Sequence, residues 1–254
     1  MRHIPRQSLI LIFAAQAAAG YLPARLGWGV PIGDRATAGG IPPELPPGPF
    51  FAIWAVIFTA YLAFAIYALR EDTDLSRTLT APVTATGALN TLWMLSSQLI
   101  GNPLLDLLLI IPILVTSWWG AYRFDRMRDQ AKGAPSMLAD ALTGLLAGWL
   151  TAATAISVPR AGRYLLNQGP TDSEWIALWS VLAVVSAGAY VFKRRISRSW
   201  WFYGAVGWGL IGVIVNNWTR TGFGYFGWIA LVFGVWLVAR RLLNPGTGAL
   251  GAMK

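Results

Sequence analysis

The sequence contains no cysteine and one histidine, His3. Without thiols there is no disulfide, no thiolate nucleophile and no thiolate metal site, and the redox compartment cannot be read from cysteine usage. A lone histidine in an N-terminal tail excludes bis-histidine haem ligation and histidine-rich metal centres within one chain. Charge is scarce as well: 12% of the 254 residues are Asp, Glu, Lys or Arg, against 56% hydrophobic. Soluble domains carry roughly a quarter charged residues. This chain has too little polar surface to wrap a water-soluble core, and lipid is the solvent its composition fits. Low-complexity tracts and fixed-period repeats are also missing.

What charge there is leans to one sign, with a net +9. In a soluble protein that excess would suggest nucleic acid. Here the basic residues lie between apolar stretches, which points to membrane topology and anionic headgroups, with no nucleic-acid partner.

A helix needs about 20 mostly apolar residues to cross the hydrocarbon layer. Eight stretches qualify or nearly qualify: 8–21, 50–69, 82–100, 104–122, 138–158, 175–192, 200–218 and 223–243. The expected fold is therefore all-α, a polytopic transmembrane bundle of about eight helices. With the N-terminus inside, the inner segments hold 15 of the 20 Lys and Arg, and the outer ones only Arg25, Arg35, Arg160, Arg163 and Arg220. That split is what the positive-inside rule expects, so both termini are predicted to be cytoplasmic, in what we expect to be a bacterial inner membrane.

The first stretch carries two readings. Basic residues before a short apolar run with small residues behind it have the look of a signal peptide, and the same features suit a retained helix. The longest connection, 22–49, is rich in Gly and Pro around Ile41-Pro42-Pro43-Glu44-Leu45-Pro46-Pro47. Proline cannot donate a backbone hydrogen bond and favours extended or turn backbone. Such a stiff loop suits a cap over a cavity or a solvated linker. The tail after Leu243 is expected to be mobile.

Tryptophan is abundant, at 14 residues. Trp118, Trp119, Trp175, Trp200, Trp201 and Trp218 fall at the ends of stretches, where an interfacial belt is the ordinary explanation. Trp93 and Trp149 fall near mid-membrane, where an indole N–H wants a partner. Asn90, Ser96, Thr151 and Thr154 are the polar neighbours available.

Three segments, in order, carry a resemblance to a known family. They are Pro46-Pro47-Gly48-Pro49-Phe50-Phe51-Ala52-Ile53-Trp54, then Ala88-Leu89-Asn90-Thr91-Leu92-Trp93 running on through Gly101-Asn102-Pro103 to Asp106, and Gly148-Trp149-Leu150-Thr151-Ala152-Ala153-Thr154. Together they are similar to the TspO/MBR family of tryptophan-rich sensory proteins, also called the translocator protein or peripheral benzodiazepine receptor family. The resemblance covers about two thirds of the chain. It implies a five-helix core over 1–167, with 168–254 adding three helices and a short tail. The chain also departs from the pattern. Ser157 stands where the family usually has Asn, Val158-Pro159-Arg160 replaces a Tyr-x-x-Trp, and no Lys or Arg follows Tyr164 within five residues as the forward sterol-type pattern requires. Sterol binding is therefore not implied.

Asn90 and Trp93 share one helical face, and Trp149, Ala153 and Thr154 share another. If these converge with Trp54, they form an aromatic-walled pocket with a few polar groups, the usual make-up of a small-molecule site. The resemblance implies a flat hydrophobic ligand of tetrapyrrole type stacked on indole faces, with no obligatory cofactor, no metal and no catalytic residue. The same residues would also serve plain interhelical packing, with Asn90 bonding a neighbouring helix. Asp106 and Asp140 lie early in their stretches, where an acid suits a helix N-terminus. Gly144-x-x-x-Gly148 permits close helix approach, including dimerisation. The expected partners are the bilayer, a hydrophobic small molecule, and either a second copy or a larger energy-transducing or photosynthetic membrane complex in which the chain would be an accessory subunit. An enzyme is not expected, because no acid–base pair stands within the spans.

Overall fold

A computed structural model describes residues 4–243; His3 and the tail from Asn244 lie outside the described residues. Within that range the chain is helical without strands. The helices are α1 (Gln7–Arg25), the short α2 (Ile32–Thr37), α3 (Ile53–Arg70), α4 (Asp74–Leu99), α5 (Pro103–Met127), α6 (Gly133–Leu165), α7 (Glu174–Val191), α8 (Trp200–Thr219) and α9 (Gly224–Leu243). A 3-10 turn, Gly48–Ala52, leads into α3, and a π turn, Phe192–Ile196, ends α7.

The eight long helices sit where the eight apolar stretches are, and several outrun them. The stretch 82–100 lies inside a helix that begins at Asp74, and 138–158 lies inside one of 33 residues. Hydropathy sees only the apolar middle, while polar flanks keep the helix going through the headgroup layer. At 1.5 Å per residue α6 is about 50 Å long, against roughly 30 Å of hydrocarbon.

Local chemistry sets the starts. Thr73 and Ser76 form a capping box before α4, each hydroxyl accepting from the other's backbone N–H at 3.2 and 3.1 Å. The carboxamide of Asn102 accepts from the N–H groups of Leu104 and Leu105, and Pro103 opens α5 where no intrahelical donor is needed. The turn between them requires Gly101, whose φ is +67°.

Six of the long helices are long and apolar enough to cross a membrane. The other two, α4 and α8, fall short in hydropathy, α4 through its many polar side chains and α8 through Asn216, Asn217 and its tryptophans. Ser76, Thr80, Thr86, Asn90, Ser96, Ser97 and Gln98 are all buried. Several threonines answer their own helix, Thr80 donating to the Ser76 carbonyl at 2.7 Å and Thr86 to that of Pro82 at 2.8 Å.

Helices α1, α4, α5, α6 and α3 pack in a closed ring, each on the next, while α7 and α8 pack on the far side of α6 and α9 covers α8. Helix α6 is thus the common wall. Its apolar stretch is 72% buried, against 22–44% for the other five candidate spans. Gly144 and Gly148 serve this contact within the chain. Gly148 faces the Phe202 carbonyl and Ala205 on α8, and Gly144 faces Ser199 and Trp201.

Helix α1 is tied into the ring. Arg6 donates to the Ala68 carbonyl at 3.2 Å and pairs with Asp72, and Ser8 bonds Thr84 at 3.0 Å. Of the two early acids, Asp106 does occupy a first turn, and it accepts from the Ser97 hydroxyl. Asp140 lies two turns into α6 because the helix starts before the apolar stretch, and it is held by both terminal nitrogens of Arg128 at 2.9 and 2.7 Å. Trp118 turns inward: its indole donates to Thr151 at 3.2 Å and its ring packs on Phe192.

Candidate functional site

The proline-rich loop is inserted into the bundle and not solvated. Residues 42 to 47 are all buried, Glu44 to 1% exposure. Proline supplies carbonyls without matching N–H donors, so a loop of this kind can be buried only where side chains donate to it. Asn216 donates to the Pro42 carbonyl at 3.0 Å, Asn217 to that of Pro43 at 2.6 Å, and the Trp208 indole to that of Phe50 at 2.7 Å. Glu44 accepts from both terminal nitrogens of Arg163 on α6, whose Nε donates to the Asp172 carbonyl at 2.7 Å. Burial pushes the Glu44 carboxyl above its ordinary 4.5, and the Arg163 guanidinium pulls it back. Gly212 forms the seat: a Cβ there would lie 2.6 Å from that of Pro46 and 2.9 Å from the Phe50 ring.

That seat can be tested with the chain's own lack of cysteine. A Leu45→Cys reporter is expected to resist maleimide. Adding Gly212→Val should raise its labelling rate on the order of tenfold, given roughly 1–3 kcal/mol of overpacking. Unchanged protection in the double variant would mean that the loop does not depend on this contact.

Beside the loop an aromatic wall is built from α3 and α6. The rings of Trp54 and Trp149 meet edge to face at 6.4 Å, with Phe51 edge-on to Trp149 at 5.8 Å and Phe58 beside Trp54 at 5.4 Å. Trp149 is 2% exposed, and the edge of its indole also meets Gly209 of α8. These side chains fill the junction themselves.

Across the ring, α4 turns Asn90 to α1. Its amide donates to Gln16 Oε1 at 2.9 Å, leaving Gln16 Nε2 and Asn90 Oδ1 buried without a partner. One turn along α4 the Trp93 indole N–H is in the same condition. An unsatisfied polar group away from water is costly, and more so at membrane depth. Two donors and an acceptor therefore stand open within the ring.

The structure brings four of the predicted residues onto one apolar core. Trp54, Trp93, Trp149 and Ala153 all pack against the cluster that includes Ile57, Tyr61 and Phe64. Asn90 is held on the α1 side by Gln16. Thr154 does not offer its hydroxyl to the junction, because that group donates to the Leu150 carbonyl of its own helix at 2.7 Å. Sequence reasoning missed Gln16; it noted Phe51 and the Asn216–Asn217 pair without foreseeing that one joins the wall and the other clamps the loop. A glutamine between Leu9-Ile10-Leu11-Ile12-Phe13-Ala14-Ala15 and Ala17-Ala18-Ala19 was a visible signal, since such a residue in an apolar run needs a partner.

On the loop side a cleft of about 300 Å³ opens, lined in part by Arg35, Pro42, Arg160, Arg163 and Tyr164. Its arginines are anchored: Arg35 donates to the Gln98 carbonyl at 2.8 Å and Arg160 pairs with Asp106 at 3.5 Å.

The model of one protein family, described as TSPO-like protein, matches residues 44–242. The match takes in the loop and α3 through nearly all of α9, and leaves α1 with Gln16 outside. No curated protein matches the chain, and no solved structure does.

Proposed function

Starting from the TSPO-like protein family, to which this integral membrane chain belongs, we propose that it binds a flat hydrophobic small molecule of tetrapyrrole type, for sensing, trafficking or regulation. The observation that carries this reading is the open set of buried polar atoms, Gln16 Nε2, Asn90 Oδ1 and Trp93 Nε1, in the same helix ring as the aromatic wall of Trp54 and Trp149. A ligand with pyrrole N–H groups or carbonyls would satisfy those atoms, and its conjugated face would stack on indole. In the cleft beside the loop Arg160 and Arg163 already pair with Asp106 and Glu44, which leaves Arg35 to meet a carboxylate on such a molecule. The wall is closed by its own side chains, so admission requires the loop or the rings to move. We place the basic face and both termini in the cytoplasm. The chain is read as a binding protein and not an enzyme, because the groups at the junction are amides and indoles that do not titrate near neutral pH.

The test is a titration of the detergent-purified full chain with protoporphyrin, followed by tryptophan quenching in wild type, Asn90→Leu, Gln16→Leu and Trp149→Phe. Saturable binding in the micromolar range is expected, weakened about tenfold by each polar substitution, as a lost hydrogen bond at a buried site implies. Equal, non-saturating quenching in all four proteins would mean partitioning into the micelle and would remove the ligand reading. Copurification with a large complex from native membranes would then favour the accessory-subunit alternative.

A further inference from the structure

A second site stands at the opposite end of the molecule, independent of the ligand just proposed. Where α7, α8 and α9 come together, a cleft of about 310 Å³ is lined by Lys193, Arg194, Arg240 and Arg241, by Tyr190, Tyr203 and Trp236, and by the small or apolar Ser186, Ala189 and Leu237. No carboxylate is among its lining residues, and none of the four cations forms an ion pair among the described residues. Arg241 is the anomaly. It is 4% exposed, its Nη2 donates to the Arg198 carbonyl at 2.8 Å, and its Nη1 is buried without a partner. Its guanidinium is fixed over the Trp200 ring at 4.4 Å and near that of Tyr203 at 5.6 Å. Arg240 and Arg194 are likewise steadied, by Trp236 and Tyr190, each at 5.7 Å.

A buried arginine with an open donor and no counter-ion is an incomplete site. What completes it is an anion, and a guanidinium fork matches the oxygens of a phosphate. The cleft's other lining is apolar, with Ala189, Trp236 and Leu237, and outside it α9 exposes Val232 and Val235. A ligand with a charged end and a greasy body fits both walls. We propose that this cleft binds a phosphate group, and that the phosphate is the headgroup of an anionic phospholipid from the leaflet at the basic face. Arg241 is its innermost contact, with Lys193, Arg194 and Arg240 at the rim.

Native mass spectrometry of the full chain in detergent tests this, titrating separately with phosphatidylglycerol, phosphatidylcholine and inorganic phosphate. Phosphatidylglycerol is expected to saturate one site that phosphatidylcholine does not fill. Lys193→Gln and Arg194→Gln should each weaken it roughly fivefold, the effect of one cation near a membrane surface. Arg195→Gln, which is outside the cleft, should leave it unchanged. Arg241→Gln should abolish the bound lipid, and the rim variants carry the test if that protein does not fold. Equal weakening by all three rim and neighbour substitutions would overturn the proposal in favour of diffuse attraction. Equal retention of both lipids would overturn it too. Occupancy by inorganic phosphate that expels phosphatidylglycerol would keep the anion site and overturn the lipid assignment.

Discussion

Glu44→Ala is expected to lower stability by about 3–5 kcal/mol, the range for removing one partner of a buried ion pair. The side chains of Glu44 and Arg163 are 1% and 6% exposed, so the alanine variant leaves a guanidinium in the interior without its counter-ion. The loss is as much the penalty on Arg163 as the value of the contact, so Glu44→Leu combined with Arg163→Met should recover most of it. Thermal unfolding in a fixed detergent measures all three proteins. A loss below about 1 kcal/mol, ordinary for a solvated pair, would show that water reaches this contact and that the loop is not sealed.

The same pair has a pH signature. In the wild type, burial outweighs Arg163 and holds the Glu44 carboxyl above 4.5, so the fold takes up a proton more readily than the unfolded chain. Its contribution is full below the unfolded value and declines as pH rises through the folded value. Arg163→Met removes the opposing interaction and moves the folded value further up. That variant is therefore expected to be more stable at pH 5 than at pH 7.5, by a larger margin than wild type. A variant with the wild-type pH dependence would mean that Glu44 is not what the arginine compensates.

Gly148→Ala is the second large effect, a loss of about 3 kcal/mol or more. The new Cβ would meet the Phe202 carbonyl oxygen, with its carbonyl carbon at 3.0 Å and the Ala205 methyl at 2.9 Å. A backbone atom cannot turn aside as a side chain can, so α6 and α8 must separate along the wall both layers share. Gly207→Ala is the control on α8: nothing lies within 4 Å of its added methyl. It should be neutral or slightly stabilising, because alanine favours helix over glycine by about 1 kcal/mol. Comparable losses in both variants would mean that helix propensity, and not the close crossing, sets the result.

How far the sequence could be read varies with the kind of residue. Trp149 stood out as a mid-span tryptophan and Trp54 through the resemblance of the segment that leads into α3; in the fold their rings meet edge to face. Asn90 was legible as a buried amide, yet its partner Gln16 lies 74 residues earlier, on a helix whose retention the sequence left open. Thr154 looked available from periodicity alone. In the fold its hydroxyl serves its own helix, an option open to any threonine in a helix that helical spacing cannot distinguish. The Asn216–Asn217 pair showed only two amides near a span end; that they hold the proline loop follows from a contact 174 residues apart.

The sequence by itself determined the solvent and the class of fold. Scarce charge and eight apolar stretches leave a lipid-embedded helical bundle as the arrangement that satisfies the backbone. Helix starts were also written locally, in Thr73, Asn102 and Pro103, because caps act over three or four residues. Tertiary structure alone decided what each inward polar group meets. It spent Gly148 on α8, drew the proline loop under Arg163, left Gln16, Asn90 and Trp93 with open atoms, and brought four cations to one cleft. Those outcomes rest on contacts between distant helices, and hydropathy and spacing report one helix at a time.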